Sequence, residues 1–349
     1  MGQRMKIVLL PGDGIGPEVT AAAVRVLQAA AKQFQIELHL QEQQVGAGAY
    51  LDCGNPLPDE AFAACEEADA VLLGAMGLPS VRWPDGREMT PQIDLRERLD
   101  LYEGLRPIRL YAESDSPLKT YGAGDIDFLL VRENTEGLFA ARKDSSTTAD
   151  EARDIMRITR DGSRRIFESA FKAAMLRRKK VTLVDKANVL PSMVFFRSVF
   201  EEVAADYPEV ETECVYVDAA ALFLVQRPES FDVIVTENMF GDILSDLAAG
   251  LVGGMGMAPS ADIGERCAVF QPAHGTAPDI ADQGKANPIA TILSAAMMVD
   301  WLGQSDCANA IETAVANALK DTSLRTGDMG GTATTDEMTN AVLSQLELV

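Results

Sequence analysis

Positive charge is what this chain has least of. It carries 31 Lys and Arg against 53 Asp and Glu, a formal net charge of −22 over 349 residues. So acidic a surface repels phosphate backbones and anionic headgroups, which excludes nucleic acid and membrane surfaces as partners. Long apolar runs are also missing. No stretch reaches the roughly 18 apolar residues of a membrane span, and the run in "MGQRMKIVLLPGDG" is too short for a secretory signal. The five cysteines (Cys53, Cys65, Cys214, Cys267, Cys307) are scattered, odd in number and free of any C-x-x-C pair. That argues against a disulfide framework and for a reducing compartment. There are no internal repeats and no low-complexity segment. These absences point to a soluble, cytoplasmic protein.

What is present is a globular composition, 47% hydrophobic with mean hydropathy near zero. The length suits two domains, or one large α/β unit with more than one core. Short apolar or β-branched runs alternate with helical patterns. "KIVLL", "AVLLG", "IDFLLV", "KVTLVDK", "ETECVYVDA" and "FDVIVT" read as strands, and "GLRPIRLY" as extended. "PEVTAAAVRVLQAAAKQF", with Pro17 at its start, reads as a helix. So do "PQIDLRERLDLY", "TRDGSRRIFESAFKAAMLRR", "PSMVFFRSVFEEVAADY", "MFGDILSDLAAGLVGG" and "PIATILSAAMMVDWLG". The alternation predicts an α/β fold with a largely parallel sheet. Segment 143–154, "KDSSTTADEARD", is the most loop-like stretch.

Several constellations could carry chemistry. "LLPGDGIGPEV" resembles a dinucleotide fingerprint, but G-x-G-x-x-G requires a third glycine where this chain has Pro17, so a tight turn into a helix is the better reading. Asp242 and Asp246 stand four apart in "GDILSDL", on one face of the expected helix. Like charges so placed repel unless a cation lies between them, and oxygen ligands suit Mg²⁺ or Mn²⁺. The alternative is a solvated face, which the apolar neighbours Ile243, Leu244 and Leu247, expected to be buried, argue against. Asp218 follows "CVYV" as a third carboxylate at a strand end.

Lys186 ends the strand of "LVDKANVLPS", the end that faces the ligand crevice in open α/β sheets, where a lysine can act as a base or reach to solvent. Arg96, Arg106 and Arg132 would trap an anion if they shared a cleft, since Arg binds carboxylates bidentately; singly, each is a surface ion pair. "QPAHGTAPDIADQGKANPIA" contains His274, Gly275, Asp279 and Asn287. A carboxylate there can accept from two ribose hydroxyls and would repel a 2′-phosphate; an ordinary polar loop is the alternative.

In family order, "GDGIGPEV", "RENTEGLF", "VDKANVL", "ENMFGDILSD", "GMGMAPSADIG" and "HGTAPDIADQGKANP" span nearly the whole chain. By them the sequence resembles the β-decarboxylating dehydrogenases, which act on isocitrate, isopropylmalate, homoisocitrate, tartrate or D-malate. The resemblance implies an isocitrate/isopropylmalate dehydrogenase-like fold of two α/β domains, unlike a usual Rossmann fold. Residues 1–100 and 255–349 would form a nucleotide-binding domain. Residues 101–254 would form a substrate, metal and dimerisation domain, with an intersubunit arm near 140–157. It further implies a homodimer with shared active sites. Arg96, Arg106 and Arg132 would hold the carboxylates of a malate-type substrate, with Thr90, Gln92 and Asn188 beside it. Asp242 and Asp246 would bind Mg²⁺ or Mn²⁺, joined by Asp218 of the other subunit, which would also supply Lys186 as the base for the C2 hydroxyl. The cofactor site maps to His274, Gly275, Thr276, Ala277, Asp279 and Asn287, and Asp279 favours NAD. The chemistry implied is oxidation of a 2-hydroxy acid followed by loss of CO₂.

Two features depart from the family pattern. Isopropylmalate enzymes place apolar residues three and four before the first arginine, where this chain has Ile93 and Gln92. An isopropyl group against Gln92 would leave an amide poorly satisfied, at a cost of about 1–3 kcal/mol. A polar C3 group, as in isocitrate, tartrate or a substituted malate, is therefore expected, with isopropylmalate, or oxidation without efficient decarboxylation, as the alternative. Arg82, Trp83 and Arg87, just upstream, are further candidates for substrate contact. The second departure is Phe139, where the family usually has the tyrosine that protonates the product. Phenylalanine has no hydroxyl, so water or a tyrosine such as Tyr102, Tyr121 or Tyr216 would have to donate.

Overall fold

Ile7, Val8, Leu9 and Leu10 are all buried, the signature of a strand covered on both faces. In the computed structural model, which describes residues 4–349, they form the middle of β1 (Arg4–Gly12). The chain divides into two units, Met1–Leu99 with Gly253–Val349, and Asp100–Val252. The first segment continues through α1 (Gly16–Gln33), β2 (Glu37–Glu42), α2 (Ala47–Cys53), α3 (Asp59–Glu66), β3 (Ala70–Ala75) and α4 (Pro91–Arg98). β1 pairs in parallel with β2 and with β3. Val19, Ala23, Val26, Leu27 and Ala30 form the buried stripe of α1 at helical spacing. Helix α4 ends earlier than the pattern "PQIDLRERLDLY" suggests, because Asp100 adopts φ 50°, a left-handed conformation that no helix continues through.

The second unit runs through β4 (Glu103–Arg109), β5 (Asp127–Glu133), α5 (Gly137–Ala140), β6 (Ser146–Thr147) and β7 (Ala152–Arg153). It continues with α6 (Arg160–Met175), β8 (Lys180–Asp185), α7 (Pro191–Ala204), β9 (Glu211–Tyr216), α8 (Val217–Gln226), β10 (Val233–Thr236) and α9 (Asn238–Gly250). Five of its strands follow the order β4-β5-β10-β8-β9. Only β4 runs antiparallel to its neighbour; the other pairings are parallel. Successive strand side chains feed opposite faces. Val131, Leu183 and Val235 join Phe167, Phe171, Phe196 and Phe200 in one core. Leu130, Val184 and Ile234 join Phe128, Leu244 and Ala248 in the other. Segment 143–154 contains the small antiparallel pair β6 and β7.

The stretch "ETECVYVDA" does not remain a strand to its end. β9 stops at Tyr216 and α8 begins at once, so Asp218 lies in the first turn of a helix, not at a strand end. An acidic residue in a first helical turn is favoured by the helix dipole.

The chain then adds β11 (Pro259–Ile263), β12 (Ala268–Pro272), α10 (Ile289–Trp301), α11 (Ser305–Ala318) and α12 (Thr335–Leu346) to the first unit. β12 lies parallel to β3, and β11 antiparallel to β12, giving the order β2-β1-β3-β12-β11. Helix α10 is buried almost all round, as a central helix must be. Thr334 and Glu337 close a capping box on α12.

Candidate active site

In the second unit, Arg132 sits at the C-terminal end of β5 and is 2% exposed. An arginine so buried must be paired and hydrogen-bonded. Its Nε and Nη2 both donate to Asn238 Oδ1, at 3.1 and 2.7 Å, and Nη1 donates to Asp242. Asn238 opens α9 and is itself oriented, its Nδ2 donating to the Glu136 carbonyl at 3.0 Å. Glu237 caps α9 by accepting from the backbone N–H groups of Met239 and Phe240. The arginine passes so close to α9 that a Cβ on Gly241 would meet its Cγ at 2.6 Å. Only glycine fits there.

One turn on from Asp242, Asp246 brings a second carboxylate to the same face of α9. The Asp246 carboxyl is raised above its usual range by burial and then by the charge of Asp242, against the opposing pull of Arg106 and Arg132. Its side chain nonetheless remains open in part to solvent. Two carboxylates on one helix face, in reach of solvent and built of hard oxygens, fit a divalent cation. The expected burial of all three apolar neighbours does not hold. Leu244 is buried, but Ile243 is 59% exposed. The core-facing stripe of α9 is Phe240, Leu244 and Ala248, and Ile243 lies about 100° away around the helix.

Among the described residues no three His, Cys, Asp or Glu side chains converge as a cation site. Asp218 is instead engaged by Lys186, whose Nζ lies 2.6 Å from its Oδ1. That bond holds the Asp218 carboxyl below its usual range. Lys186 follows Asp185, which is fully buried and accepts from both Nε and Nη2 of Arg197 at 2.7 and 2.8 Å, and from the Ala187 N–H. This anchors the backbone on each side of the lysine. Asn188, two residues on, is exposed.

The polar turn of "RENTEGLF" is held by its own acids. Glu133 accepts from the N–H and hydroxyl of Thr135 and from the N–H of Glu136. Burial nevertheless pushes its carboxyl up to about 7. Glu136 reaches Thr159, at the start of α6. The Phe139 ring centre lies 5.6 Å from the Arg132 guanidinium carbon, a cation–π distance. The candidate tyrosines are otherwise engaged. Tyr121 donates to Glu229, Tyr102 lies under Arg165 and Tyr216 beside Arg197.

In the first unit, Arg96 on α4 donates through Nε to Asp262 Oδ2 at 2.9 Å. Gln271 donates to the same oxygen at 2.6 Å. Gln92 keeps a buried Oε1 that has no hydrogen-bond partner, and Thr90 precedes the helix without capping it. Arg82 and Arg87, candidates for substrate contact, are spent within their own loop on Glu88 and Asp85. Trp83 packs edge-on against Tyr50, centroids 5.3 Å apart.

The Gly-rich turn after β1 spends backbone N–H groups within the chain, Asp13 donating to the Ala75 carbonyl at 2.7 Å and Gly16 to the Asp13 carbonyl at 2.9 Å. The Asp13 carboxylate accepts from the N–H groups of Ala47, Gly48 and Gly77 at 2.7–2.8 Å. A Cβ on Gly46 would strike that carboxylate at 2.3 Å, at a φ of 100°. The turn also carries the loop around His274, since the Ile15 N–H donates to the Thr276 carbonyl at 2.8 Å. His274 Nδ1 lies 2.9 Å from the Gly275 carbonyl, while its buried Nε2 has no partner. Burial lowers the pKa of this ring, favouring the neutral imidazole. Ala277 takes φ 35°, and Asp279 stands exposed. Asn287 is buried and donates to Asp328 at 3.1 Å. An orphaned ring nitrogen and a free-standing carboxylate on one loop suit a base and a ribose diol.

The model of the family described as isocitrate/isopropylmalate dehydrogenase matches residues 6–342. The chain belongs to the isocitrate/isopropylmalate dehydrogenase family. The 3-isopropylmalate dehydrogenase of Zymomonas mobilis is 44% identical over 98% of this chain and 100% of its own. That of Moorella thermoacetica is 48% identical over 90% of each. Among solved structures, isocitrate dehydrogenase from Methylococcus capsulatus superposes with a TM-score of 0.90 at 38% identity, covering 98% of this chain and 99% of that one. The β-decarboxylating dehydrogenase from Thermococcus kodakarensis gives 0.82 at 36%, covering 98% and 96%. The protein is thus an NAD-dependent, decarboxylating hydroxy-acid dehydrogenase of mixed α/β fold, from a family whose enzymes use Mg²⁺ or Mn²⁺. No helix among the described residues is long and apolar enough to cross a membrane.

Four residues that the sequence did not single out hold the predicted site residues or the elements that carry them. Asn238 and Glu237 lie within a recognised motif, but nothing in their spacing shows that one orients Arg132 and the other caps α9. Asp185 is masked by its apolar strand. Asp262 is separated from its partner Arg96 by 166 residues.

Proposed function

We propose that this enzyme oxidises and decarboxylates a malate substituted at C3, with 3-isopropylmalate the foremost candidate. The observation that carries the substrate is the similarity over whole chains to enzymes of that name. In the second unit, Arg106 and Arg132 would receive substrate carboxylate oxygens, and in the first unit Arg96 would do the same. Asn238 holds Arg132 so that its charge is oriented before substrate arrives. Lys186 of a second copy would take the proton of the C2 hydroxyl as its neutral amine, once Asp218 of that copy turns from it to the cation. Asp242 and Asp246 would hold Mg²⁺ or Mn²⁺, together with Asp218 of a second copy. The bound ion would supply charge stabilisation at the C2 oxygen and the neighbouring carboxylate. His274, Gly275, Thr276, Ala277, Asp279 and Asn287 would hold NAD, with Asp279 accepting from the ribose hydroxyls and disfavouring a 2′-phosphate. Phe139 has no proton to give, so the product carbon would be protonated by water.

A homodimer follows from the same reading. Leu222 and Val225 on α8, Ile243 on α9, and Val189 and Val194 nearby in the chain are each 45–64% exposed. Apolar side chains of this size on an otherwise acidic surface favour burial against a second copy. The hairpin within 140–157 would serve as the intersubunit arm. The first unit would be the nucleotide-binding domain.

A second reading, a polar C3 substituent, is favoured by the unpartnered, buried Oε1 of Gln92. A substrate hydroxyl could donate to it, whereas an isopropyl group could not. A panel of 3-isopropylmalate, D-malate, tartrate and isocitrate, each with NAD and Mn²⁺, separates the two. The highest kcat/KM on 3-isopropylmalate supports the first reading. Turnover of tartrate well above 3-isopropylmalate replaces it with the second.

A further inference from the structure

Arg96 and Asp262 form an ion pair that is almost dry. Their side chains are 8% and 2% exposed, and the bond runs from Nε to Oδ2 at 2.9 Å. Gln271, also buried, donates to the same Oδ2 at 2.6 Å. Asp262 is therefore held in place from two sides, on β11, facing the guanidinium group. The bond uses Nε and leaves Nη1 and Nη2 for a ligand.

The charges matter as much as the geometry. A solitary buried arginine attracts every anion near it. An arginine whose charge is matched by a carboxylate at contact distance has little net field beyond a few ångströms. It remains an oriented pair of hydrogen-bond donors, good for one carboxylate presented edge-on. For a second negative charge it has no surplus to offer, and Asp262 repels that charge through a medium of low dielectric.

We infer that Asp262 is a specificity-determining positioning residue that makes the Arg96 subsite accept one carboxylate and refuse an additional one on the C3 substituent. This rests on the reading of Arg96 as a substrate ligand. It narrows the substrate class to malates whose C3 group is uncharged, apolar or hydroxylated, and sets tricarboxylates such as isocitrate at a disadvantage. Gln271 supports the device by holding the carboxylate against the arginine.

The test is the ratio of kcat/KM for isocitrate to that for 3-isopropylmalate, in the wild type and in Asp262→Asn. Asparagine keeps the shape and one acceptor oxygen while removing the charge. The ratio is expected to rise about tenfold or more, mainly through a lower KM for isocitrate. KM for NAD should change little, while the melting temperature should fall, because Arg96 loses the buried partner of its charge. Damage to the fold would lower both substrates together and leave the ratio where it was. If the asparagine variant is insoluble, Asp262→Ser makes the same change of charge with a smaller side chain. An active enzyme whose ratio is unchanged or falls overturns the role of Asp262 and leaves the substrate reading standing. If Arg96→Lys leaves KM unchanged for every malate derivative, the assignment of Arg96 fails, and the role of Asp262 with it.

Discussion

Arg132 gives two of its nitrogens, Nε and Nη2, to a single oxygen of Asn238, at 3.1 and 2.7 Å. This bond fixes the plane of a fully buried guanidinium group before any ligand arrives. Asn238→Ala would leave those donors to swing toward Asp242, which Nη1 already reaches. KM for the hydroxy acid should rise by about tenfold or more, with KM for NAD unchanged. Steady-state kinetics in both substrates checks this. An equal loss on both sides would point to damage beyond the clamp.

The carboxylates of α9 make a prediction about the metal. Burial of Asp246 and then the charge of Asp242 resist its ionisation, and a bound divalent cation removes that conflict. Asp246→Asn should raise the Mn²⁺ concentration needed for half-activation by about 10–100-fold. Without metal, the same substitution should raise the melting temperature slightly, because it relieves repulsion between like charges on one helix face. Thermal melts with and without Mn²⁺ should therefore cross over between wild type and variant.

Phe139 lies beside Arg132 with a ring and no hydroxyl. Phe139→Tyr places a proton donor at the end of that ring. If water now protonates the product slowly, kcat should rise by at least a few-fold, within the range of general acid catalysis at about 10²–10⁴. The solvent deuterium isotope effect on kcat should change with it. An unaltered rate and isotope effect would show that this hydroxyl is not missed.

Glu133 supplies a pH signature. Burial raises its carboxyl from an ordinary value of 4.5 to about 7. A group whose folded pKa is raised contributes stability that is fully present below the unfolded pKa and lost as pH rises through the folded one. Part of the stability should therefore fall away between about pH 4.5 and 7. Glu133→Gln titrates no proton and lacks this decline. Between pH 5 and pH 8 its melting temperature should therefore fall less than that of the wild type. Parallel melting curves across that range would contradict the account.

The parts of this site that the sequence displayed are those built from local spacing. Asp242 and Asp246 are four apart, so one helix suffices to bring them together, and α9 is that helix. Pro17 ruled against a dinucleotide fingerprint, and in the structure the N–H groups of Ile15 and Gly16 in that turn are already given to the carbonyls of Thr276 and Asp13. What stayed hidden was decided by tertiary contact. Helix α8 follows β9 with no intervening turn residue, so "VYVDA" offers no break to read. Asp262 lies within the buried strand "PSADI" and matters only because Arg96 arrives from 166 residues away. Arg82 and Arg87 looked available as charges, yet each is taken up by an acid a few residues off.

The central claim is that this chain couples oxidation of a C3-substituted malate to loss of CO₂. Its most direct test is the simultaneous measurement of CO₂ and NADH from 3-isopropylmalate with NAD and Mn²⁺. The account predicts that CO₂ and NADH appear in equal amounts and that Lys186→Met abolishes both. NADH formed without CO₂, or the absence of both from 3-isopropylmalate and from every malate analogue, would contradict it.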